Sequence, residues 1–116
     1  MGQLNLVTRS AVSNPEVTVL EAAGSLDLNT VDEFEMALNG FLRKGQNRII
    51  LDLSKLDYIS SAGIGVLVGN IKDIRKNRGD IKFSNVNPNV YRTFELMDLF
   101  KIFHSHPNEK DAAMAF

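Results

Sequence analysis

The chain has 116 residues, 44% of them hydrophobic and 23% charged, with a net charge of −1 and no cysteine. Those values describe an ordinary globule of one domain, residues 1–116, able to bury roughly 65% of its unfolded surface. They exclude a disulfide frame, thiol chemistry and cysteine-ligated zinc, and the near-neutral charge argues against a nucleic-acid footprint.

The opening stretch "MGQLNLVTRSAVSNPE" has neither the basic start nor the long apolar run of a signal peptide, and no Ser or Thr at the sixth position for myristoylation. The charge-free apolar stretch Ile59 to Asn70 is too short to span a bilayer and is full of glycine and serine. A cytoplasmic protein with no membrane partner is the expectation. Leu4, Leu6 and Thr8 alternate with polar neighbours as a first strand. "SNPE" supplies a turn, because Asn14 precedes a proline and Pro15 presets φ. "VTVLEAAGSLD" then reads as a second strand, ended or kinked at Gly24, so that the first two strands form a hairpin.

"NTVDEFEMALNGFLRKG" is the clearest helix. Thr30 and Glu33 have the spacing of a capping box, and Val31, Phe34, Leu38, Phe41 and Leu42 fall on one face. Acidic residues open the helix, Arg43 and Lys44 close it, and Gly45 is placed for a left-handed C-terminal cap. "RIILDLS" (Arg48–Ser54) is β-branched and apolar, as a central buried strand is. A second helix starts near Ser61, presents Ile64, Leu67, Val68, Ile71 and Ile74 inward, and stops at Gly79. "IKFSNV" is a strand, Pro88 opens a third helix with Val90, Phe94 and Met97 on one stripe, "FKIFHS" is a last strand, and "PNEKDAAMAF" is a short terminal helix. The order β-β-α-β-α-β-α-β-α predicts an α/β fold: a mostly parallel central sheet with an N-terminal hairpin and helices packed on it.

The chemistry concentrates in "YISSAGIGVLVGN" (Tyr58–Asn70). Ser61, or Ser60 beside it, falls at the N-terminus of the second helix, where a hydroxyl caps free N–H groups and contributes about 1 kcal/mol. Capping alone accounts for most serines at such boundaries. Yet Ala62 to Asn70 carries no charge, whereas helix starts usually carry acids, and Gly65 and Gly69 lie four apart. Either a second chain approaches that surface or the glycines pack on the protein's own sheet. A phosphate on Ser61 would add about −1.5 to −2 charge that a helix N-terminus tolerates and a docked partner does not.

"LDLSKLDYISSAGIGVLVGNIKDIRKNRGDIKFSNVNPNVYRTFELMDLFKIF" and "GSLDLNT" together resemble the anti-sigma factor antagonists of the STAS domain family, over nearly the full length. The resemblance implies a STAS-like fold and a partner, an anti-sigma factor with serine kinase activity, which the unphosphorylated antagonist sequesters to free a sigma factor. Phosphorylation of a motif serine releases that partner, and a metal-dependent serine phosphatase resets the switch. "SSAGIG" matches the acceptor motif with Ser61 as acceptor and Ser60 as the alternative. The implied partner surface comprises Asp27, Asn29, Ser60, Ser61, Ala62, Gly63, Ile64, Gly65, Leu67 and Val68. Ser60 stands where the motif commonly has Asp, and Asp98 where a Gly often precedes "LFKIF". For Asp27 the structural alternative is a turn residue bonded to its own backbone.

No cofactor and no metal site is implied. His104 and His106 lack a third ligand, "RKNR" (Arg75–Arg78) is accounted for as a helix C-terminus, and no G-x-S-x-G elbow supports an enzyme. The alternative is a STAS-type adaptor in another signalling or transporter-associated assembly, without a sigma factor. The three glycines of "GIGVLVG" are not spaced as G-x-G-x-x-G, which disfavours a nucleotide sensor. The sequence leaves the oligomeric state open.

Overall fold

The computed structural model describes residues 3–116. In chain order the elements are β1 (Leu4–Ser10), β2 (Thr18–Leu26), α1 (Val31–Arg43), β3 (Arg48–Ile59), α2 (Ser61–Lys76), β4 (Asp80–Ser84), α3 (Pro88–Leu96), β5 (His104–His106) and α4 (Glu109–Met114), with a single 3-10 turn at Leu99–Lys101. The five strands lie side by side in the order β1-β2-β3-β4-β5. β1 and β2 are antiparallel and every later pair is parallel. The expected α/β order and the N-terminal hairpin are therefore both present.

α1, α2 and α3 each return the chain across the same face of the sheet. Phe34 and Leu38 of α1, Ile64, Leu67, Ile71 and Ile74 of α2, and Val90 and Phe94 of α3 bury against Leu20, Ile49, Leu51, Ile81 and Phe83. Phe83 stacks on Phe94 at 4.9 Å and meets Phe103 at 5.1 Å. On the opposite face, among the described residues, α4 packs Ala112 and Ala113 on Ala11, Val17, Val19 and Ile50, with Phe116 beside them. Arg9 ties this side together, bonding Glu21 at 2.7 Å and reaching Glu109 at the start of α4. Lys82, nearly buried there, meets Asp80 at 3.3 Å and the Phe116 ring at 5.1 Å.

The turn at Asn14 forms as expected, its side chain accepting from the Glu16 amide at 3.0 Å. α1 ends in a Schellman motif: Gly45 takes φ 73°, its amide donates to the Leu42 carbonyl, and the Gln46 amide donates to that of Phe41. Pro88 opens α3 behind a capping Asn87.

Several details differ from expectation. Thr30 precedes α1 but forms no capping box, because its hydroxyl is spent on the preceding loop. Of the two outcomes expected at Gly24, an end or a kink, the structure has the kink, and β2 continues to Leu26. Gly24 adopts φ 106° where a β-carbon would overlap the Gln3 carbonyl, and the β2–β3 register slips on both sides of it. β3 runs on past Ser54 to Ile59, since β2 continues beside it and Leu56 and Ile59 find places in the core.

α2 stops differently too. Arg78, not Gly79, takes the left-handed conformation at φ 65°, and Gly79 is required instead because a β-carbon there would overlap the Asn47 backbone. Val68 and Met97 are exposed, not inward: Val68 lies off the arc of α2 that meets the sheet, and Met97 is the C-cap residue beyond the last turn of α3. "FKIFHS" is not one strand. Asp98 at φ 57° starts the 3-10 turn, which drops Leu99 and Phe103 into the core and leaves only His104–His106 to pair with β4.

Candidate partner-docking site

Parallel pairing brings the carboxyl ends of β2 and β3 together, with Leu26 opposite Ile59. The loop entering α1 and the start of α2 therefore share one rim of the sheet, the rim where sites of parallel α/β folds gather. A backbone bond fixes the two to each other, the Ser60 amide donating to the Leu26 carbonyl at 2.8 Å.

The Asp27 loop is internally braced. The Asp27 carboxylate accepts from the Asn29 amide at 2.9 Å, while the Thr30 hydroxyl accepts from the Asp27 amide at 3.0 Å and donates to the Ser25 carbonyl at 2.9 Å. Asp27 is thus a turn residue with one carboxylate oxygen committed to local backbone. Asn29 and Leu28 are left projecting from the tip, Leu28 at 79% exposure.

The two serines have different surroundings. Ser60 is the N-cap residue, extended at φ −93° and ψ 172°, yet its side chain makes no capping bond. Its hydroxyl oxygen is buried without a hydrogen-bond partner. Ser61 is the first residue inside the helix and is exposed. No acidic residue occupies the first turn of α2, in contrast to Asp32 and Glu33 in α1. The free N–H groups and positive end of the α2 dipole consequently act on the rim uncompensated by a carboxylate of their own helix.

Beyond Ser61 the helix sorts its residues into two rows. Gly63, Ile64 and Leu67 face inward and are buried. A β-carbon on Gly63 would sit 2.7 Å from Leu26 Cγ, so this glycine lets α2 seat against the end of β2. Gly65, Val68 and Gly69 face outward with Ser61, at the i, i+4, i+7 and i+8 positions of one stripe. β-carbons on Gly65 and Gly69 would meet nothing within 4 Å, so these two glycines do not pack on the protein's own sheet. Ala62 is half-buried between the rows. Of the residues singled out from sequence, Asp27, Asn29, Ser61, Gly65 and Val68 share this accessible rim and stripe. Gly63, Ile64 and Leu67 support it from below.

Sequence reasoning overlooked Leu28 and Tyr58, large apolar side chains exposed at 79% and 55% on the same rim. The available signals were an apolar residue inside the polar loop "DLN" and an aromatic one at the solvent-facing phase of β3. The remaining candidates are dispersed. Asn70 bonds the Val66 carbonyl at 2.7 Å and Glu35 of α1 at 3.4 Å, joining the two helices. Arg75 bonds Asp80 at 3.1 Å and the Ile102 carbonyl. Among the described residues no group of three or more potential metal ligands gathers, and no helix is long and apolar enough to cross a membrane.

Comparison with known proteins agrees with this architecture. The STAS domain profile matches residues 8–112. An anti-sigma F factor antagonist from Paenibacillus polymyxa is 33% identical over 97 residues, covering 83% of each chain. An anti-sigma-B factor antagonist from Staphylococcus aureus is 31% identical over 101 residues, 87% of this chain and 91% of that one. The crystal structure of an anti-sigma factor antagonist from Mycobacterium paratuberculosis superposes with a TM-score of 0.85 at 22% identity, covering 97% of this chain and 93% of that one. With its fold, its profile match and relatives above 30% identity in agreement, the chain belongs to the STAS domain family.

Proposed function

We propose that the protein is an anti-sigma factor antagonist acting by partner switching. Unphosphorylated, it binds an anti-sigma factor that is also a serine kinase and so frees a sigma factor; phosphorylated on Ser61, it lets that partner go, and a serine phosphatase restores it. It acts by binding, without catalysis of its own. The observation that carries this reading is an exposed Ser61 at the head of the uncharged outward stripe of α2, beside the Asp27 loop. The relatives named as anti-sigma factor antagonists support it over an adaptor role in another assembly.

The physics of the switch is local. A phosphate on Ser61 brings about −1.5 to −2 charge to a helix N-terminus, where the dipole and free N–H groups favour it and the fold has no reason to melt. A partner lying along Gly65, Val68 and Leu28 would have to bury that anion. A penalty of about 3 kcal/mol weakens binding on the order of a hundredfold. The accessible hydroxyl of Ser61, against the buried one of Ser60, supports Ser61 as the acceptor.

The test is phosphorylation by the serine kinases of the protein's own cell, with the site mapped by mass spectrometry. Ser61→Ala should abolish incorporation and Ser60→Ala should retain it. Titration calorimetry with the anti-sigma kinase should show tight binding of the unmodified protein and roughly hundredfold weaker binding of Ser61→Glu. Undiminished phosphate on Ser61→Ala would refute the site. Equal affinity of Ser61→Glu and wild type would refute the switch.

A further inference from the structure

We propose that the open edge of β1 is a self-association edge, on which a second copy of the chain adds its own β1 antiparallel about a two-fold axis through Val7. This inference is independent of the partner-switching reading. It starts from the two ends of the sheet. β5 forms one edge with only three residues, whereas β1 forms the other with seven, paired to β2 without a register break.

The direction of every backbone group along β1 follows from its two ends. The Ser25 amide donates to the Gln3 carbonyl at 2.9 Å, and the Ala11 amide donates to the Val17 carbonyl at 2.8 Å. Hydrogen-bonded and non-bonded pairs alternate in an antiparallel ladder, so residues 3, 5, 7, 9 and 11 bond inward to β2. Leu4, Leu6, Thr8 and Ser10 turn their N–H and C=O groups outward. One of these, the Ser10 carbonyl, accepts a 3.3 Å bond from Arg9, and no strand pairs with the others.

Natural edge strands carry devices that repel a second strand: a proline, a lysine, a bulge or a charge aimed outward. β1, "LNLVTRS", has no proline, lysine or bulge. Its single charge, Arg9, is drawn back across the sheet to Glu21 and Glu109 and does not guard the edge. Val7 stands 53% exposed at the middle of the strand.

The strand is also complementary to itself. An axis through Val7 sets Leu6 opposite Thr8 of the second copy and Leu4 opposite Ser10, so all the outward-facing residues pair, giving about eight backbone bonds. On the other face Val7 meets its own copy and Asn5 meets Arg9, so no like charges are opposed. An axis through Leu6 leaves Ser10 without a partner in the strand, and one through Thr8 leaves Leu4 without one. The docking stripe on α2 lies over β3 and β4, away from this edge, and stays open in both copies.

Because the chain has no cysteine, single substitutions read the register directly. Across a non-hydrogen-bonded antiparallel pair the Cα atoms lie about 4.5 Å apart, within disulfide range. Under mild oxidation Val7→Cys should cross-link rapidly, and Asn5→Cys, whose opposite number is Arg9, should not. Sedimentation should show dimer on the order of 100 μM for wild type. Val7→Lys, which sets two ammonium groups together, and Thr8→Pro, which removes an outward N–H and spares the β2 ladder, should each weaken the dimer at least tenfold. Circular dichroism melts confirm that each variant is folded; should Thr8→Pro fail to fold, Val7→Lys and the cysteine pair decide alone. A monomer throughout the concentration range, equal cross-linking of Val7→Cys and Asn5→Cys, or a dimer indifferent to Val7→Lys would each overturn the proposal.

Discussion

The three glycines of α2 carry opposite expectations for one and the same substitution. Glycine in a helix interior costs roughly 0.5–1 kcal/mol relative to alanine, so each replacement begins with that gain. At Gly65 and Gly69 a new β-carbon enters open space, and the gain stands. At Gly63 the β-carbon would lie 2.7 Å from Leu26 Cγ and 3.0 Å from both Leu26 Cδ2 and Ile59 Cγ1. Ordinary contact is at about 3.5–4.0 Å, so α2 must lift by most of an ångström or Leu26, 1% exposed, must leave its rotamer. Overpacking of that kind costs about 1–3 kcal/mol. The net effect is therefore about +0.5 to +1 kcal/mol of stability for Gly65→Ala and Gly69→Ala, and a loss of up to about 2 kcal/mol for Gly63→Ala. For a domain of this size that amounts to Tm shifts of roughly 2–6 °C upward and up to about 10 °C downward. Urea and thermal unfolding of the three variants measure it. A Gly63→Ala protein as stable as the other two would show that α2 is not seated on Leu26 as described.

Two further outcomes follow from the same structure. Burial, then the neighbouring Lys82 and His104, lower the His106 pKa below 6.5, with Asp111 opposing weakly. The unfolded chain then takes up a proton before the folded one, so stability is intact above about pH 6.5 and falls as the pH drops toward the folded-state value. His106→Gln should flatten that part of the stability–pH profile, and an unchanged slope would remove His106 as its source. At the C-terminus of α2, Arg78→Gly relieves a left-handed non-glycine residue and should stabilise by about 1 kcal/mol. Gly79→Ala, driven into the Asn47 backbone, should destabilise by more than about 2 kcal/mol, and chemical denaturation of the pair checks both signs.

Where the sequence was legible, several local signals agreed. α1 could be read to its ends because an apolar stripe, a charge gradient and Gly45 point the same way, and the start and central place of β3, though not its end, because it is β-branched and apolar. What escaped depended on partners distant in the chain. The length of β3 is set by β2 continuing alongside it, and the capping box at Thr30 lost to bonds with Ser25 and Asp27 that only the loop geometry reveals. "FKIFHS" has the composition of a strand, but Leu99 and Phe103 reach the core by a turn, which alternation cannot anticipate. At Arg78–Gly79 the sequence marks the glycine only as a helix stop, whereas what requires it is steric, the Asn47 backbone across the fold. At the rim, the position of Ser61 was readable, whereas Leu28 and Tyr58 were not, because exposure is not encoded by residue type.

The division of α2 into an inward and an outward row has an evolutionary consequence. Gly63, Ile64, Leu67, Ile71 and Ile74 answer to the sheet, and Ser61, Gly65, Val68 and Gly69 answer to solvent. On the partner-switching reading proposed above, the outer row can drift under selection for one partner and against another while the inner row stays under selection for folding alone. Duplicated copies of such a gene would diverge in recognition long before they diverged in structure, which is how one scaffold can serve parallel pathways without crosstalk.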